Sequence, residues 1–93
     1  TARVRIGVHC ILNVKASVSH DSIVGDYVNV NPGAIVAGNV RLGDAAYIGA
    51  GATVIEKITV GEGAIVAAGA AVVRDLPPRV TAVGVPARVI RSH

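Results

Sequence analysis

An aliphatic residue recurs at every sixth position over most of this 93-residue chain. The series runs without insertion through Ile6, Leu12, Val18, Val24, Val30, Val36, Leu42, Ile48, Val54, Val60, Val66 and Val72. Helices favour apolar spacings of three and four, and hairpin sheets carry turn residues at irregular intervals. A fixed period of six is typical of a hexapeptide β-helix, in which each repeat supplies one short strand. We therefore expect these aliphatic side chains to point inward and to form a continuous core.

A second period, of eighteen residues, is visible in the glycines. One set consists of Gly7, Gly25, Gly43 and Gly61. Three hexapeptides then make one coil with three faces, and residues eighteen apart stack at about 4.8 Å, the spacing of paired strands. We place these glycines at corners, where a Cβ would clash with the next coil. Asp26, Asp44 and Glu62 follow three of them and are expected only to solvate the outer surface.

The repeat predicts an all-β parallel β-helix of about four 18-residue coils, covering residues 5–22, 23–40, 41–58 and 59–76. Pro77 and Pro78 are expected to end it, because proline removes a ladder donor. The following stretch, Thr81–Ile90, is interpreted as a short strand broken at Gly84 and Pro86. We thus divide one domain into a β-helix, 1–76, and a capping segment, 77–93. Solenoid ends need covering, so a further domain or another chain is expected to pack on the first coil.

Composition narrows the class of protein further. The chain has no Phe, Trp or Met and one cysteine, Cys10, which excludes an internal disulfide and is predicted to be a core residue. No apolar run approaches the ~20 residues of a membrane helix, and no signal peptide is visible, so a cytoplasmic protein is expected. Without a basic run or aromatic platform, nucleic-acid binding is not favoured. The excess positive charge lies in residues 74–93, which suits either a phosphorylated ligand or a solvated tail.

The sequence resembles the hexapeptide-repeat acyltransferases, most closely the sugar acetyltransferases of the sialic-acid O-acetyltransferase and bacillosamine N-acetyltransferase type. The matching stretches are residues 17–25 (SVSHDSIVG), 31–43 (NPGAIVAGNVRLG), 49–55 (GAGATVI) and 83–90 (VGVPARVI). The resemblance implies a left-handed β-helix, a homotrimer, and acetyl transfer from acetyl-CoA to an amine or hydroxyl of a sugar or nucleotide-sugar. Full-length members carry an N-terminal nucleotide-sugar domain, so this chain is similar to their acyl-donor half.

The resemblance assigns the general base to His20, with Asp21 beside it to orient the ring. Gly38 lies eighteen residues later and should stack on His20, where its amide could stabilise an oxyanion and contact the donor. Asn13 matches a family asparagine near the acceptor, although a hydrogen-bonded corner ladder with Asn31 is an equal alternative. At Asn29 the family usually has a second histidine that contacts the donor.

Coenzyme A in such trimers lies between adjacent β-helices. By register, the family's backbone contacts to its pantetheine arm fall on Ala50 and Ala68, and its phosphates would lie near Arg88, with Arg74 or Arg79 as further candidates. Two other interpretations remain open. A γ-type carbonic anhydrase uses the same fold, but it needs three histidine ligands and only His9 and His20 lie in the coils. A non-catalytic, truncated or engineered trimeric scaffold would bind no acetyl-CoA. No metal is expected.

Overall fold

Strands of two residues recur every six residues, as the aliphatic period predicts. The computed structural model describes residues 4–93, so residues 1–3, the start of the predicted β-helix, lie outside the described part. In each strand from residue 23 to residue 72, the second residue is buried and the first points outward. The described residues form an all-β parallel solenoid of about four turns, which confirms the predicted fold class. Its left-handedness stays a prediction of the resemblance.

Parallel pairing between successive coils assembles the strands, numbered in chain order, into three sheets. Sheet A contains β1 (Arg5–Ile6), β4 (Ile23–Val24), β7 (Arg41–Leu42) and β10 (Thr59–Val60). Sheet B contains β2 (Ile11–Leu12), β5 (Asn29–Val30), β8 (Tyr47–Ile48), β11 (Ile65–Val66), β13 (Val80–Val83) and β14 (Arg88–Ser92). Sheet C contains β3 (Ser17–Val18), β6 (Ile35–Val36), β9 (Thr53–Val54) and β12 (Ala71–Val72). Partners from β1 to β12 lie eighteen residues apart, such as Ile6 and Val24, which confirms the coil length.

Short corners join the sheets, and each is named for the sheets it connects. The A–B corner comprises residues 7–10, 25–28, 43–46 and 61–64; the B–C corner comprises 13–16, 31–34, 49–52 and 67–70; the C–A corner comprises 19–22, 37–40, 55–58 and 73–75. The third residue of every corner up to Gly69 has a left-handed backbone, for example Ala45 with φ 60° and Gly63 with φ 67°. This repeated geometry lets the corners stack directly on one another.

The core is a column of Val, Leu, Ile and Ala side chains that begins in the second coil. Val30, Val36 and Val54 have no exposed surface, and neither have the small residues Ala34 and Ala52. The first coil differs, because Ile6 is 46% and Leu12 42% exposed. No coil among residues 4–93 lies below them. The prediction that every member of the six-residue series lines the core is therefore wrong for these two residues.

The corner glycines are required by close contact between coils. A Cβ on Gly43 would lie 2.6 Å from the amide nitrogen of Glu62, which confirms the predicted clash. The acidic residues beside these glycines have a role that the sequence analysis missed. Asp44 Oδ1 accepts a hydrogen bond from the Asp26 amide at 2.8 Å, and Asp26 Oδ1 accepts one from the Val8 amide at 3.0 Å. Both carboxylates satisfy corner amides that have no strand partner, so the prediction that they only solvate the surface is wrong.

The winding continues past the two prolines, contrary to the sequence prediction. Leu76 forms a parallel bridge with Val60, and β13 pairs in parallel with β11, so the register shortens from eighteen residues to sixteen. Pro77 and Pro78 lie in the corner between these pairings, where the missing amide hydrogens leave no ladder bond unmade. The predicted broken strand is a hairpin: β14 folds back antiparallel on β13 after a turn that contains the cis Val85–Pro86 bond.

Candidate functional site

His20 is the second residue of the first C–A corner, and its ring is paired with the next side chain. Its Nδ1 lies 3.3 Å from Asp21 Oδ2, and the two side chains are 57% and 44% exposed. An ionised carboxylate can only accept, so this contact favours the tautomer with the ring proton on Nδ1 and the lone pair on Nε2. Asp21 has a left-handed backbone with φ 58°, a conformation that aspartate adopts more readily than most residues. The corner geometry therefore turns the carboxylate towards the ring.

Gly38 stacks on His20, at the place that the eighteen-residue register predicts. The Asn39 amide donates to the His20 carbonyl at 3.1 Å, which joins the two corners. A Cβ built on Gly38 would lie 2.9 Å from both Nε2 and Cε1 of His20. The Gly38 carbonyl accepts from the Lys57 amide at 3.1 Å, but within residues 4–93 the Gly38 amide donates no hydrogen bond. Gly38, whose amide has no partner among these residues, is thus buried next to the His20 ring.

The asparagines form a separate cluster at the B–C corner. Asn13 Nδ2 donates to the Val30 carbonyl at 3.3 Å, to Asn31 Oδ1 at 3.4 Å and to Asn29 Oδ1 at 3.5 Å. Asn31 continues the series by donating to the carbonyl of the coil above, on Ile48, at 2.9 Å. This arrangement is the hydrogen-bonded ladder considered as the alternative for Asn13. Within the chain, neither Asn13 nor Asn29 is brought to His20.

Ala50 and Ala68 are stacked in the same B–C corner, and both are exposed. The Ala50 carbonyl accepts from the Gly69 amide at 2.9 Å. The amides of Ala50 and Ala68 donate no hydrogen bond to any other residue of the described range 4–93. Along this corner, above the asparagine cluster, the two small residues thus leave backbone amides that lack a partner among the described residues.

The residues predicted to form one site therefore lie in two groups on each chain. His20, Asp21 and Gly38 occupy the C–A corner. The second group lies at the B–C corner and on sheet B, and consists of Asn13, Asn29, Ala50 and Ala68. One face of the coil, sheet C, separates the two corners. A six-residue step at about 3.3 Å per residue makes this separation roughly 20 Å. No single copy of the chain brings both groups together.

Two arginines line a groove of about 480 Å³ at the C-terminal end of the C–A corner. Arg74 belongs to the same column as His20 and Gly38, three coils above His20, which is about 14 Å at the spacing of paired strands. Arg88, from β14, also lines the groove, as does Pro86, and Asp75 is the acidic residue of the lining. Arg79 belongs to a different corner, and its carbonyl accepts from the His93 amide at 2.7 Å. Of the two further arginine candidates, Arg74 lines the same groove as Arg88 and Arg79 does not.

A second groove, of about 520 Å³, adjoins the other end of the same corner. Arg5, Asp21, Ser22 and Ile23 line it. Asp21, whose carboxylate contacts the His20 ring, belongs to this lining, and His20 does not.

Several polar residues have partners that sequence reasoning did not find. His9 stacks on Tyr27 with ring centroids 5.2 Å apart and an interplanar angle of 12°, at the A–B corner and away from His20. Cys10 is half-buried, and its Sγ lies 3.0 Å from the Gly25 carbonyl.

In residues 4–93, no three His, Cys, Asp or Glu side chains lie close enough to hold one metal ion. The same residues include no helix that is long and apolar enough to cross a membrane.

Comparisons with known proteins agree with this architecture. Residues 39–74 match the family model described as bacterial transferase hexapeptide (six repeats). A search of the curated proteins found no match. Among solved structures, soybean serine acetyltransferase is 36% identical with a TM-score of 0.87, over 94% of this chain and 40% of that one. A serine acetyltransferase from Brucella abortus is 32% identical with a TM-score of 0.88, over 96% and 40% of the two chains.

A serine acetyltransferase in complex with CoA is 29% identical with a TM-score of 0.89, over 94% of this chain and 39% of that one. The chain thus spans about 40% of the length of these acetyltransferases. The sugar acetyltransferases named by the sequence resemblance are not among these structures. The chain is a β-solenoid that carries bacterial transferase hexapeptide repeats over residues 39–74 and shares its fold with serine acetyltransferases.

Proposed function

We propose that the chain is the donor-binding and catalytic β-helix of an acetyl-CoA-dependent acetyltransferase. The observation that carries the proposal is the His20 ring, held by Asp21 on one side and adjoined by Gly38 on the other. A general base needs a free lone pair near the reacting atoms, and an oxyanion needs a preorganised donor. His20 Nε2 and the Gly38 amide supply these two groups at one corner, where the exposed His20 ring adjoins the buried Gly38. The acetyltransferase fold neighbours support the same reaction class.

In the proposed reaction, Nε2 of His20 takes a proton from the acceptor amine or hydroxyl as that group attacks the thioester carbonyl. The new bond forms at the carbonyl carbon, and the Gly38 amide donates to the oxygen that gains negative charge. When the carbon–sulfur bond breaks, the thiolate of coenzyme A takes the proton from the imidazolium. Asp21 stabilises that imidazolium by accepting from Nδ1–H at 3.3 Å. The products are an acetyl ester or amide and free coenzyme A.

The donor is proposed to lie along the C–A corner, from His20 up to the arginine-lined groove. Arg74 and Arg88 provide two positive charges there, and guanidinium groups bind phosphate oxygens well. The separation of about 14 Å from His20 is comparable with an extended pantetheine arm. The similar structure of a serine acetyltransferase in complex with CoA supports a site for this molecule on the fold.

We further propose that a second copy of the chain completes the site. The B–C corner of a neighbouring copy would bring Ala50 and Ala68 to the pantetheine arm and Asn13 and Asn29 towards the acceptor. This arrangement explains why the site residues occupy two corners about 20 Å apart on each chain. The homotrimer expected from the resemblance provides it. A cytoplasmic location stays part of the proposal and rests on the sequence alone.

The acceptor is proposed to be a small amine or alcohol that reaches Nε2 of the exposed His20 ring. The sequence resemblance favours a sugar or nucleotide-sugar, whereas the serine acetyltransferase neighbours favour the hydroxyl of an amino acid. Both chemistries use the same base and oxyanion donor. An acceptor panel of amino sugars, sugar alcohols and serine, assayed by release of the coenzyme A thiol, separates them.

The decisive experiment combines calorimetric titration of coenzyme A with transfer assays on two histidine variants. His20→Ala should bind coenzyme A like the wild type and lose transfer. His9→Ala is the matched control, because His9 stacks on Tyr27 at a corner with no site residue, and it should retain transfer. Absence of binding at millimolar coenzyme A, with the trimer present in light scattering, would instead favour the non-catalytic scaffold. Transfer that persists in His20→Ala would remove His20 as the base.

A further inference from the structure

Ser22 is a buried polar residue in an otherwise apolar part of the C–A corner, and it is 1% exposed. In the two coils above, the same inward place holds Val40 and Ile58. Burial of a hydroxyl is unfavourable unless its hydrogen bonds are made. Ser22 makes two, because its Oγ donates to the Ala37 carbonyl at 2.9 Å and accepts from the Val40 amide at 3.2 Å.

These two partners are the first and last residues of the corner that contains Gly38. In the corners whose fourth residue is alanine, the amide of that residue donates directly to the carbonyl of the first, as from Ala34 to Asn31 at 3.1 Å. Corner 37–40 lacks this direct bond, as do the other corners whose fourth residue is larger than alanine (7–10, 19–22, 25–28 and 55–58). Among the described residues, corner 37–40 alone has its two ends linked by a hydroxyl, that of Ser22 from the coil below. The next C–A corner, 55–58, has Val40 below it and no such link. The hydroxyl is therefore specific to the corner that carries Gly38.

We propose that Ser22 is a positioning residue that sets the Gly38 amide against the His20 ring, an inference that rests on the proposed function. Ser22 follows the His20–Asp21 pair directly in the chain, and its hydroxyl holds both ends of the turn one coil above. The base and the oxyanion donor are thus joined by one side chain as well as by the bond from Asn39 to the His20 carbonyl. Displacement of a reacting group by about 1 Å can lower a rate by ~10²-fold.

Threonine and valine provide a matched test of the hydroxyl. Ser22→Thr keeps the hydroxyl and adds a methyl group, and Ser22→Val has the same shape as that threonine with a second methyl group in place of the hydroxyl. Valine and isoleucine already occupy the corresponding place in the two coils above, so the position is compatible with branched side chains. Cys10→Ala is the control for a lost link between coils, because Cys10 Sγ contacts the Gly25 carbonyl in a corner that carries no site residue. Ser22→Ala tests the same loss without added bulk.

The measurements are the turnover number and KM for acetyl-CoA, and the NMR resonances of the Gly38 amide and the His20 ring. We expect Ser22→Val and Ser22→Ala to shift both resonances and to lower turnover by roughly tenfold to a hundredfold, with KM unchanged. Ser22→Thr and Cys10→Ala should keep wild-type turnover and leave the Gly38 resonance in place. A uniform loss of stability would not separate these two pairs of variants.

The proposal is overturned if Ser22→Val keeps wild-type turnover, or if turnover falls while the Gly38 resonance is unmoved. Failure of the proposed function gives a different result, in which the wild-type protein neither transfers acetyl groups nor binds coenzyme A. In that case the NMR resonances still decide whether Ser22 positions Gly38. An unshifted Gly38 amide in Ser22→Val would then overturn the positioning role itself.

Discussion

Replacement of Gly38 by alanine should impair catalysis while leaving the solenoid folded. The added Cβ would lie 2.9 Å from Nε2 and Cε1 of His20, so the ring must retreat by at least about 0.5 Å to reach ordinary van der Waals contact. Gly38 is not among the residues with a left-handed backbone, and alanine can adopt its conformation. The group that must move is the end of an exposed side chain. The free energy of unfolding should therefore fall by less than about 1 kcal/mol.

The effect on turnover follows from that movement. Rotation of the ring lengthens the contact from Nδ1 to Asp21 and moves Nε2 away from the acceptor. A misplacement on the order of 1 Å lowers a rate by ~10²-fold, so turnover should fall between about tenfold and a hundredfold. In activation free energy this is roughly 1.4 to 2.7 kcal/mol. Affinity for coenzyme A should change little, because the arginine-lined groove, which contains Arg74, lies two coils away.

Initial rates at saturating acetyl-CoA, calorimetric affinity for coenzyme A, and urea unfolding at fixed protein concentration test this prediction together. Gly63→Ala is the control, because Gly63 has φ 67° at the A–B corner and alanine there is strained. It should lose about 1 kcal/mol of stability and keep its turnover. Wild-type turnover in Gly38→Ala would refute the reasoning, since the clash with the His20 ring would then have no catalytic consequence.

Three further predictions concern the groove and the corners. Arg88→Ala should weaken coenzyme A binding by about tenfold in calorimetry, while transfer from acetyl-pantetheine, which lacks the nucleotide, should be unchanged; equal losses with both donors would contradict the phosphate role. Asp44→Ala removes the acceptor of the Asp26 amide, so it should lower the free energy of unfolding, measured in urea, by about 1 kcal/mol. Glu62→Ala should leave this free energy unchanged, and equal effects of the two variants would count against a stabilising role for the Asp44 hydrogen bond. Ala45→Gly should raise the free energy of unfolding by roughly 0.5 to 1 kcal/mol, because glycine accepts φ 60° without strain. A lower midpoint of urea denaturation would disprove this prediction.

The sequence period was sufficient to predict the coil, because every strand pairing in a solenoid repeats one register. Once Val18 and Val24 are inward, the stacking of Gly38 on His20 follows by counting. The period carries no information about where the stack begins, so the exposure of Ile6 and Leu12 was not foreseen. The shift to a sixteen-residue register at Leu76 was missed for a related reason. Proline was treated as a strand breaker, although a corner needs no ladder donor.

The site was predicted less completely than the fold. Asn13 and Ala50 were assigned by family role, and only the sorting of positions by corner shows that they lie apart from His20. Counting would have shown this, since Ala50 is thirty residues from His20, which is not a whole number of coils. Ser22 could also have been noticed, as a polar residue in a column that continues with Val40 and Ile58. Its two bonds depend on side-chain geometry that no spacing encodes.

His20, Gly38 and Arg74 lie in one column of the solenoid, so the number of coils fixes the distance from His20 to Arg74. Each coil adds one strand spacing, about 4.8 Å, to the distance between the base and the arginine-lined groove. Insertion or deletion of one eighteen-residue coil between them would change that distance without altering either end. On the proposed donor site, the number of coils would set the length of acyl donor that fits the corner, and a variant with one coil more should prefer a donor with a correspondingly longer arm.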